Sequence, residues 1–287
     1  MRAYVPSYEI ISPPNLSGVL DLIAQNNGKW KPLAGGTDLM VLLEAGKLSH
    51  KNYVNIWHLD ELRGIEVAND YVTLGALTTY TEVQEHPELQ RDFPMLCQAA
   101  RETGGIAIQN RGTLGGNIVN ASPAADSPPA LLAYDAELEF VSKSGARRIQ
   151  YSEFHQGYKQ MDIRPAELLK AIHLPRRAQT LTHYYRKVGT RKAQAISKIC
   201  FAGVADVSDG RIDHMRIALG SVAPIPLRCP KTEAALINHR LSDEAIADAM
   251  NIMAAEISPI DDLRSTKNYR LQVSLNLLKD FLSQLQP

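Results

Sequence analysis

The sequence predicts an α+β protein in three parts, and three observations carry that prediction. Helical and strand patterns alternate over the first 56 residues, a long glycine-rich passage of mixed character follows, and near the C-terminal end three strands precede three helices. At 287 residues the chain is long enough for two or three packed layers and a large core. The expected parts are residues 1–56, 57–177 and 178–287.

The first part opens with caps and a stop, Ser12-Pro13-Pro14-Asn15, after which Leu16, Val19, Leu20 and Ile23 recur at helical spacing until Asn26-Asn27-Gly28 ends the run. A short strand from Trp30 to Ala34 runs into Gly35-Gly36-Thr37-Asp38. Another helical pattern follows with Leu39, Leu42 and Leu43 on one side, then a strand at Tyr53-Val54-Asn55-Ile56, completing a small β-α-β-α-β unit. In the second part Tyr71–Leu74 reads as a strand, and Thr79–His86 and Met95–Thr103 as helices. The stretch from Gly104 to Asn117 has too little periodicity for regular structure. Glu137–Ser142 and Arg147–Tyr151 flank Lys143-Ser144-Gly145-Ala146, a hairpin signal, and Leu168–Leu174 is a further strand closed by Pro175-Arg176-Arg177. The third part holds strands at Tyr184–Val188, Ile199–Val207 and Ile212–Ser221, then helices at Glu233–Asn238, Glu244–Ile257 and Tyr269–Leu282. This order predicts a three-stranded antiparallel sheet covered on one face by helices.

Composition removes several classes of function. Lys+Arg and Asp+Glu both number 31, so no global field draws the chain to nucleic acid or to an anionic membrane. No apolar stretch approaches the roughly 18 residues of a membrane span, and the N-terminus lacks a charged segment followed by an apolar run, so neither membrane insertion nor a secretory signal is expected. Cys97, Cys200 and Cys229 are far apart and odd in number, too few for an iron–sulfur cluster and without a CxxC pair for zinc, which favours a reducing, cytoplasmic setting. The eight histidines form no HExxH or HxH pattern, and His155, His173 and His183 read as surface or packing residues. No metal site and no catalytic side chain is expected.

Two loops carry the chemistry. In Leu33-Ala34-Gly35-Gly36-Thr37-Asp38 paired glycines let backbone N–H groups approach a ligand, and the helix that follows favours phosphate at its start. Thr37 offers a hydroxyl, and Asp38 is placed to cap the helix. The second loop, Arg111-Gly112-Thr113-Leu114-Gly115-Gly116-Asn117, again pairs glycines with a threonine and an amide, which suits a diphosphate gripped from two sides. Each loop alone also fits a tight turn that merely needs glycine. Neither matches GxGxxG or GxxxxGK[ST], so a Rossmann fold and a P-loop are excluded as the holder.

The segments LAGGTDL at 33–39, RGTLGGNIVNASPAADSPPALLAYDAELEF at 111–140 and FHQGYKQMDIRPAELLKAIHLP at 154–175 occur in that order, followed by LGSVAPIPLRC at 219–229 and STKNYRLQV at 265–273. Together they resemble the FAD-binding medium subunits of molybdenum hydroxylases, the xanthine dehydrogenase and carbon monoxide dehydrogenase flavoproteins, over essentially the whole chain. The resemblance implies a two-part FAD-binding domain of the kind shared with bacterial cell-wall enolpyruvyl reductases, then an α+β C-terminal domain. It implies that Leu33, Ala34, Gly35, Gly36, Thr37, Asp38 and Leu39 clasp the FAD diphosphate together with Gly112, Thr113, Gly115, Gly116 and Asn117. Asp126 would accept hydroxyl hydrogen bonds at the ribose or adenine end, Leu168 would pack near the adenine or flavin ring, and Lys187 would lie near the isoalloxazine. The short basic run Arg186-Lys187 with Arg191-Lys192 equally fits a solvated strand end or a subunit contact.

Covalent attachment needs a His or Cys beside the flavin ring and the first loop contains neither, so the FAD is expected to be non-covalent, and the resemblance implies its place in an electron-transfer chain. It would take electrons from the [2Fe–2S] clusters of a small partner subunit, supplied by a large molybdenum-cofactor subunit, and pass them to NAD or another acceptor. One departure stands out: relatives often read Gln-Ile-Arg-Asn where this chain has Ala107-Ile108-Gln109-Asn110, so a cation is missing at Gln109. Two other readings remain at this point, a free-standing flavin-dependent oxidoreductase with its own substrate and a non-catalytic scaffold.

Overall fold

The computed structural model describes residues 7–25, 28–176, 181–191 and 194–286. Its first part is β1 (Glu9–Ile11), α1 (Leu16–Gln25), β2 (Lys31–Leu33), α2 (Leu39–Glu44) and β3 (Asn52–Asn55), with all three strands parallel in the order β1-β3-β2. The helical repeat seen in α1 turns Val19 and Ile23 inward, and Asn15 Oδ1 accepts the Gly18 amide at 2.9 Å to start the helix. Because β2 is parallel to β3 and feeds α2, the segment from Ala34 to Asp38 leaves the carboxyl end of a strand, where backbone groups are open to a ligand.

The second part is a five-stranded sheet with a helical layer. Along the chain it runs β4 (Ile65–Val67), β5 (Tyr71–Gly75), α3 (Tyr80–Glu85), α4 (Pro87–Asp92), α5 (Pro94–Glu102), α6 (Ile106–Gln109), α7 (Leu114–Val119) and α8 (Ser127–Ala133). It then continues through β6 (Glu137–Ser142), β7 (Gly145–Gln150), α9 (Tyr151–Phe154), β8 (His155–Gly157), β9 (Gln160–Met161) and β10 (Leu168–Pro175). The large sheet is antiparallel in the order β4-β5-β10-β6-β7, while β8 and β9 form a separate hairpin. Leu74, Leu138, Phe140 and Ile172 on the sheet bury against Leu96, Ala100 and Leu131 of the helices. The expectation of no regular structure between Gly104 and Asn117 is corrected by α6 and α7. Thr113 Oγ1 caps α7 by accepting the Gly116 amide at 3.0 Å, and the Leu114 and Gly115 amides donate to the Thr78 and Ala76 carbonyls at 2.9 Å. Tertiary anchors form these turns, so no hydrophobic period marks them.

The third part pairs β11 (Thr182–Val188), β12 (Ile199–Ser208), β13 (Arg211–Gly220) and β14 (Leu227–Arg228) in sequence order, followed by α10 (Pro230–Leu236), α11 (Asp243–Glu256) and α12 (Lys267–Ser283). The sheet has four strands where three were expected, because the two residues of β14 are too few to show alternation. It is also covered on both faces. Phe201 and Ile217 pack with Met253 and Phe281 of the C-terminal helices, whereas Tyr185, Ala202, Val204 and Ala218 enter the core of the second part. The continuous apolar run from Ile199 to Ala205 is the sequence counterpart of a strand buried on both sides.

An ion network crosses that contact. Asp135, just after α8, meets Arg216 Nε at 3.0 Å and Arg228 Nη1 at 2.7 Å, and Arg228 Nη2 reaches Glu233 Oε2 at 2.7 Å. Burial would raise the Asp135 pKa, but the two guanidinium groups more than offset it and hold the carboxyl below its ordinary value. A depressed folded pKa stabilises the fold above the unfolded value of about 3.9 and is lost as pH falls through the folded value. Asp135→Asn, which tolerates the left-handed φ of 53° found there, should cost about 1–3 kcal/mol in urea denaturation at neutral pH and remove part of the acid sensitivity below about pH 4.

Candidate functional site

The two glycine loops meet. A Cβ on Gly35 would lie 1.6 Å from the Arg111 carbonyl oxygen, so the backbones of two segments 76 positions apart in sequence are in direct contact and only glycine fits. Gly36 has φ +78°, a left-handed conformation that costs other residues about 1–2 kcal/mol. Leu33 through Thr37 are half-buried, Asp38 is exposed and Leu39 is half-buried. Among the described residues, the amides from Gly35 to Asp38 donate to no protein group. Half-buried unpaired donors in succession are what an anion with several oxygens requires.

Asp38 occupies the N-cap position of α2, but its side chain makes no capping bond and its backbone is already helical. The capping role expected for it is therefore corrected: with φ −87° and ψ −42° the carboxylate does not fold back onto the first turn.

The second loop is different in kind. Leu114 and Gly115 give their amides to Thr78 and Ala76, and Gly116 and Asn117 give theirs to Thr113. These donors build the loop, so Gly112, Thr113, Gly115 and Gly116 form a braced wall. Asn117 Oδ1 accepts from Ser127 Oγ at 2.6 Å, which ties the loop to the start of α8. Arg111 turns its guanidinium over Trp57, 3.9 Å from the ring centre, with Arg63 at 4.5 Å from the same ring.

Asp126 and Lys187 do not stand at opposite ends of a cofactor; they hold each other. Lys187 Nζ lies 2.7 Å from Asp126 Oδ2 and 2.7 Å from the Glu102 carbonyl, Ser197 Oγ donates to Asp126 Oδ1, and the two side chains are 3% and 10% exposed. Burial pushes the Asp126 carboxyl up and Lys187 pulls it part of the way back. Leu168 is also a core residue, 5% exposed among Val19, Trp30, Val54, Leu62 and Leu77, at the joint between the first two sheets. Gln109 is buried and accepts from Gln84 Nε2 at 3.2 Å while donating to the Arg101 carbonyl at 2.9 Å, so the amide at this position is structural.

His155, His173 and His183 all serve packing. His155 Nε2 donates to the Ile118 carbonyl at 3.0 Å, His173 bridges Thr73 and Glu139, and His183 Nδ1 is 3.1 Å from the Tyr134 hydroxyl. All three cysteines are free and buried, and burial pushes the Cys97 thiol up to about 11. A cavity of about 280 Å³ lined by Arg91, Tyr134, Arg176 and His183 lies between the second and third parts, and neither glycine loop lines it. Among the described residues no helix is long and apolar enough to cross a membrane. Trp57, Ser197 and Lys159, whose ammonium bonds Asn120 at the end of α7, were not marked by the sequence; Lys159 sits inside the quoted 154–175 segment without any spacing to mark it.

Fold and loops thus define a two-lobed α+β unit whose two glycine loops meet between the lobes, with a third domain fastened against it. Residues 6–177 match the family model for the FAD-binding domain in molybdopterin dehydrogenase, and residues 183–285 that for the CO dehydrogenase flavoprotein C-terminal domain. The chain belongs to the family of FAD-binding oxidoreductase subunits of molybdenum hydroxylases. It is 33% identical over 273 residues to the xanthine dehydrogenase FAD-binding subunit of Escherichia coli O157:H7, covering 94% of this chain and 92% of that one. It is 27% identical over 278 residues to the carbon monoxide dehydrogenase medium chain of Hydrogenophaga pseudoflava, covering 97% and 96%. A solved structure of the Hydrogenophaga pseudoflava carbon monoxide dehydrogenase superposes with a TM-score of 0.93 at 27% identity, covering 99% of this chain and 100% of that one.

The buried pair gives a direct test of its role. Asp126→Asn or Lys187→Met should each cost about 3–5 kcal/mol in urea denaturation, because each strands a desolvated charge. The double substitution should cost clearly less than the sum. Additive losses, or a loss of cofactor affinity with stability untouched, would assign the two residues to the ligand instead.

Proposed function

We propose that this chain carries non-covalently bound FAD as the electron-transfer subunit of a molybdenum hydroxylase. In this reading it receives electrons from the [2Fe–2S] clusters of a small partner subunit, downstream of a large molybdenum-cofactor subunit, and passes them to NAD or another acceptor. The observation that carries the FAD assignment is the row of unpaired amides from Gly35 to Asp38 set against the braced second loop. The naming of similar proteins as medium chains and FAD-binding subunits supports the placement in a complex.

The residues present fit the group. Four successive amides and the Thr37 hydroxyl offer donors to phosphate oxygens, Gly36 holds the left-handed turn within them, and the second loop stands braced beside them through the Gly35–Arg111 contact. When bound, FAD supplies the exchange between one-electron donors and two-electron acceptors. The chain holds the diphosphate end by backbone, so the cofactor's position depends on strand β2 and helix α7. The contact between the second and third parts, locked by Asp126, Lys187 and Asp135, fixes how the C-terminal domain meets that site.

Titrating FAD into the purified chain and following protein fluorescence tests this reading. Saturable binding is expected, with retained flavin absorption after desalting, and Gly36→Val should weaken it by roughly tenfold or more through left-handed strain. Anaerobic NADH should bleach the bound flavin if NAD is the acceptor. A chain that takes up no FAD contradicts the assignment.

A further inference from the structure

The β8–β9 hairpin carries a lysine whose placement the loops themselves do not explain. Lys159 sits at the turn with φ +57°, a left-handed conformation uncommon for a residue with a side chain. Its ammonium donates to the Asn120 carbonyl and, at 3.0 Å, to Asn120 Oδ1. Asn120 is the C-cap of α7, the helix that the second glycine loop begins. Asp38, the last residue of the first loop, is close enough to favour the charged form of Lys159 against the desolvation that disfavours it. One cation from a third segment thus sits at the far end of the helix that the second loop begins and within electrostatic range of Asp38, while remaining on an exposed residue.

The hairpin is held in place on the side away from solvent. His155 donates to the Ile118 carbonyl of α7 at 3.0 Å, and Phe154 stacks on Phe140 with ring centres 5.3 Å apart. Beyond the hairpin, Asp162 and Glu167 close on Arg147 at 2.9 and 2.7 Å. Lys159 is therefore presented by a fixed turn.

Charge makes the position consequential. A diphosphate taken up by the amides of Gly35 to Asp38 would meet the Asp38 carboxylate at the end of the same loop, and like charges at that range repel. Arg111 is turned onto Trp57, and Lys187 is buried on Asp126. We propose that Lys159 is the counter-cation of this cleft: it offsets Asp38 and binds the phosphate oxygens of a dinucleotide diphosphate held by the first glycine loop. This inference rests on the FAD reading above and adds a residue and a charge balance to it.

The test uses the full chain with FAD, ADP and riboflavin as probes, the first two carrying a diphosphate and the third none. Lys159→Gln should weaken FAD and ADP by similar factors, roughly tenfold to a hundredfold for a charge-assisted hydrogen bond, and leave any riboflavin binding unchanged. The dependence of affinity on salt should become shallower. Lys159→Arg should restore most of the affinity, and adding Asp38→Asn to Lys159→Gln should recover part of it because the uncompensated carboxylate is gone. A thermal melt shows that the variant is folded. If the wild-type chain binds FAD and ADP and Lys159→Gln binds them equally well, this inference falls and the FAD reading stands. If riboflavin is weakened as much as FAD, the cation belongs to the ring and the inference is also overturned. A wild-type chain that binds neither FAD nor ADP overturns both.

Discussion

The arrangement depends on one backbone contact, the approach of Gly35 to the carbonyl of Arg111. A side chain there would occupy the position of the oxygen, so the contact exists only because the first loop carries glycine at that point. It joins the small parallel sheet to the large antiparallel one at the place where each presents a loop. Behind it Trp30 and Val54 of the first part pack on Leu62, Leu77 and Leu168 of the second, which keeps the two sheets from sliding and holds the loops in register. The unpaired amides of one loop and the braced wall of the other are a consequence of that joint.

From the second loop a chain of polar contacts runs to the C-terminal domain. Asn117 accepts from Ser127; next to Ser127, Asp126 takes Lys187 and Ser197; and the Tyr185 hydroxyl donates to the Asp126 carbonyl at 3.0 Å. Buried ionic groups are expensive, and a pair of apolar residues would often be as stable. What the pair supplies here is geometric: it sets one orientation of the third sheet relative to the loops, which continuous apolar packing of Ala202 and Ala218 would define less sharply. Together with the Asp135 network it makes the C-terminal domain a fixed neighbour of the candidate site.

Much of the fold was readable because it rests on local pattern. The helical repeat through Leu16, Val19 and Ile23, the hairpin around Lys143-Ser144, and the long strands β12 and β13 joined by Ser208-Asp209-Gly210 all carry their own signals. What was not readable arises from contacts distant in sequence. Helices α6 and α7 are made by the Thr78 and Ala76 carbonyls, and β14 by two residues of β13. The second face of the third sheet is hidden because nothing in β11 or β12 says which helices will cover it. At the site, the glycine loops announced themselves by composition, whereas the partnership of Asp126 with Lys187 joins residues 61 positions apart and could not be seen from either. Gly35 could be named as a loop glycine, but its reason, the Arg111 carbonyl, exists only in the fold.

Amide hydrogen exchange across the two loops, with and without FAD, tests the central claim most directly. The amides from Gly35 to Asp38 should exchange fast in the free chain and become protected on binding. Those of Leu114 to Asn117, already bonded to Thr78, Ala76 and Thr113, should be slow in both states. Protection that appears elsewhere while Gly35 to Asp38 stay fast in the FAD-bound chain would contradict the account.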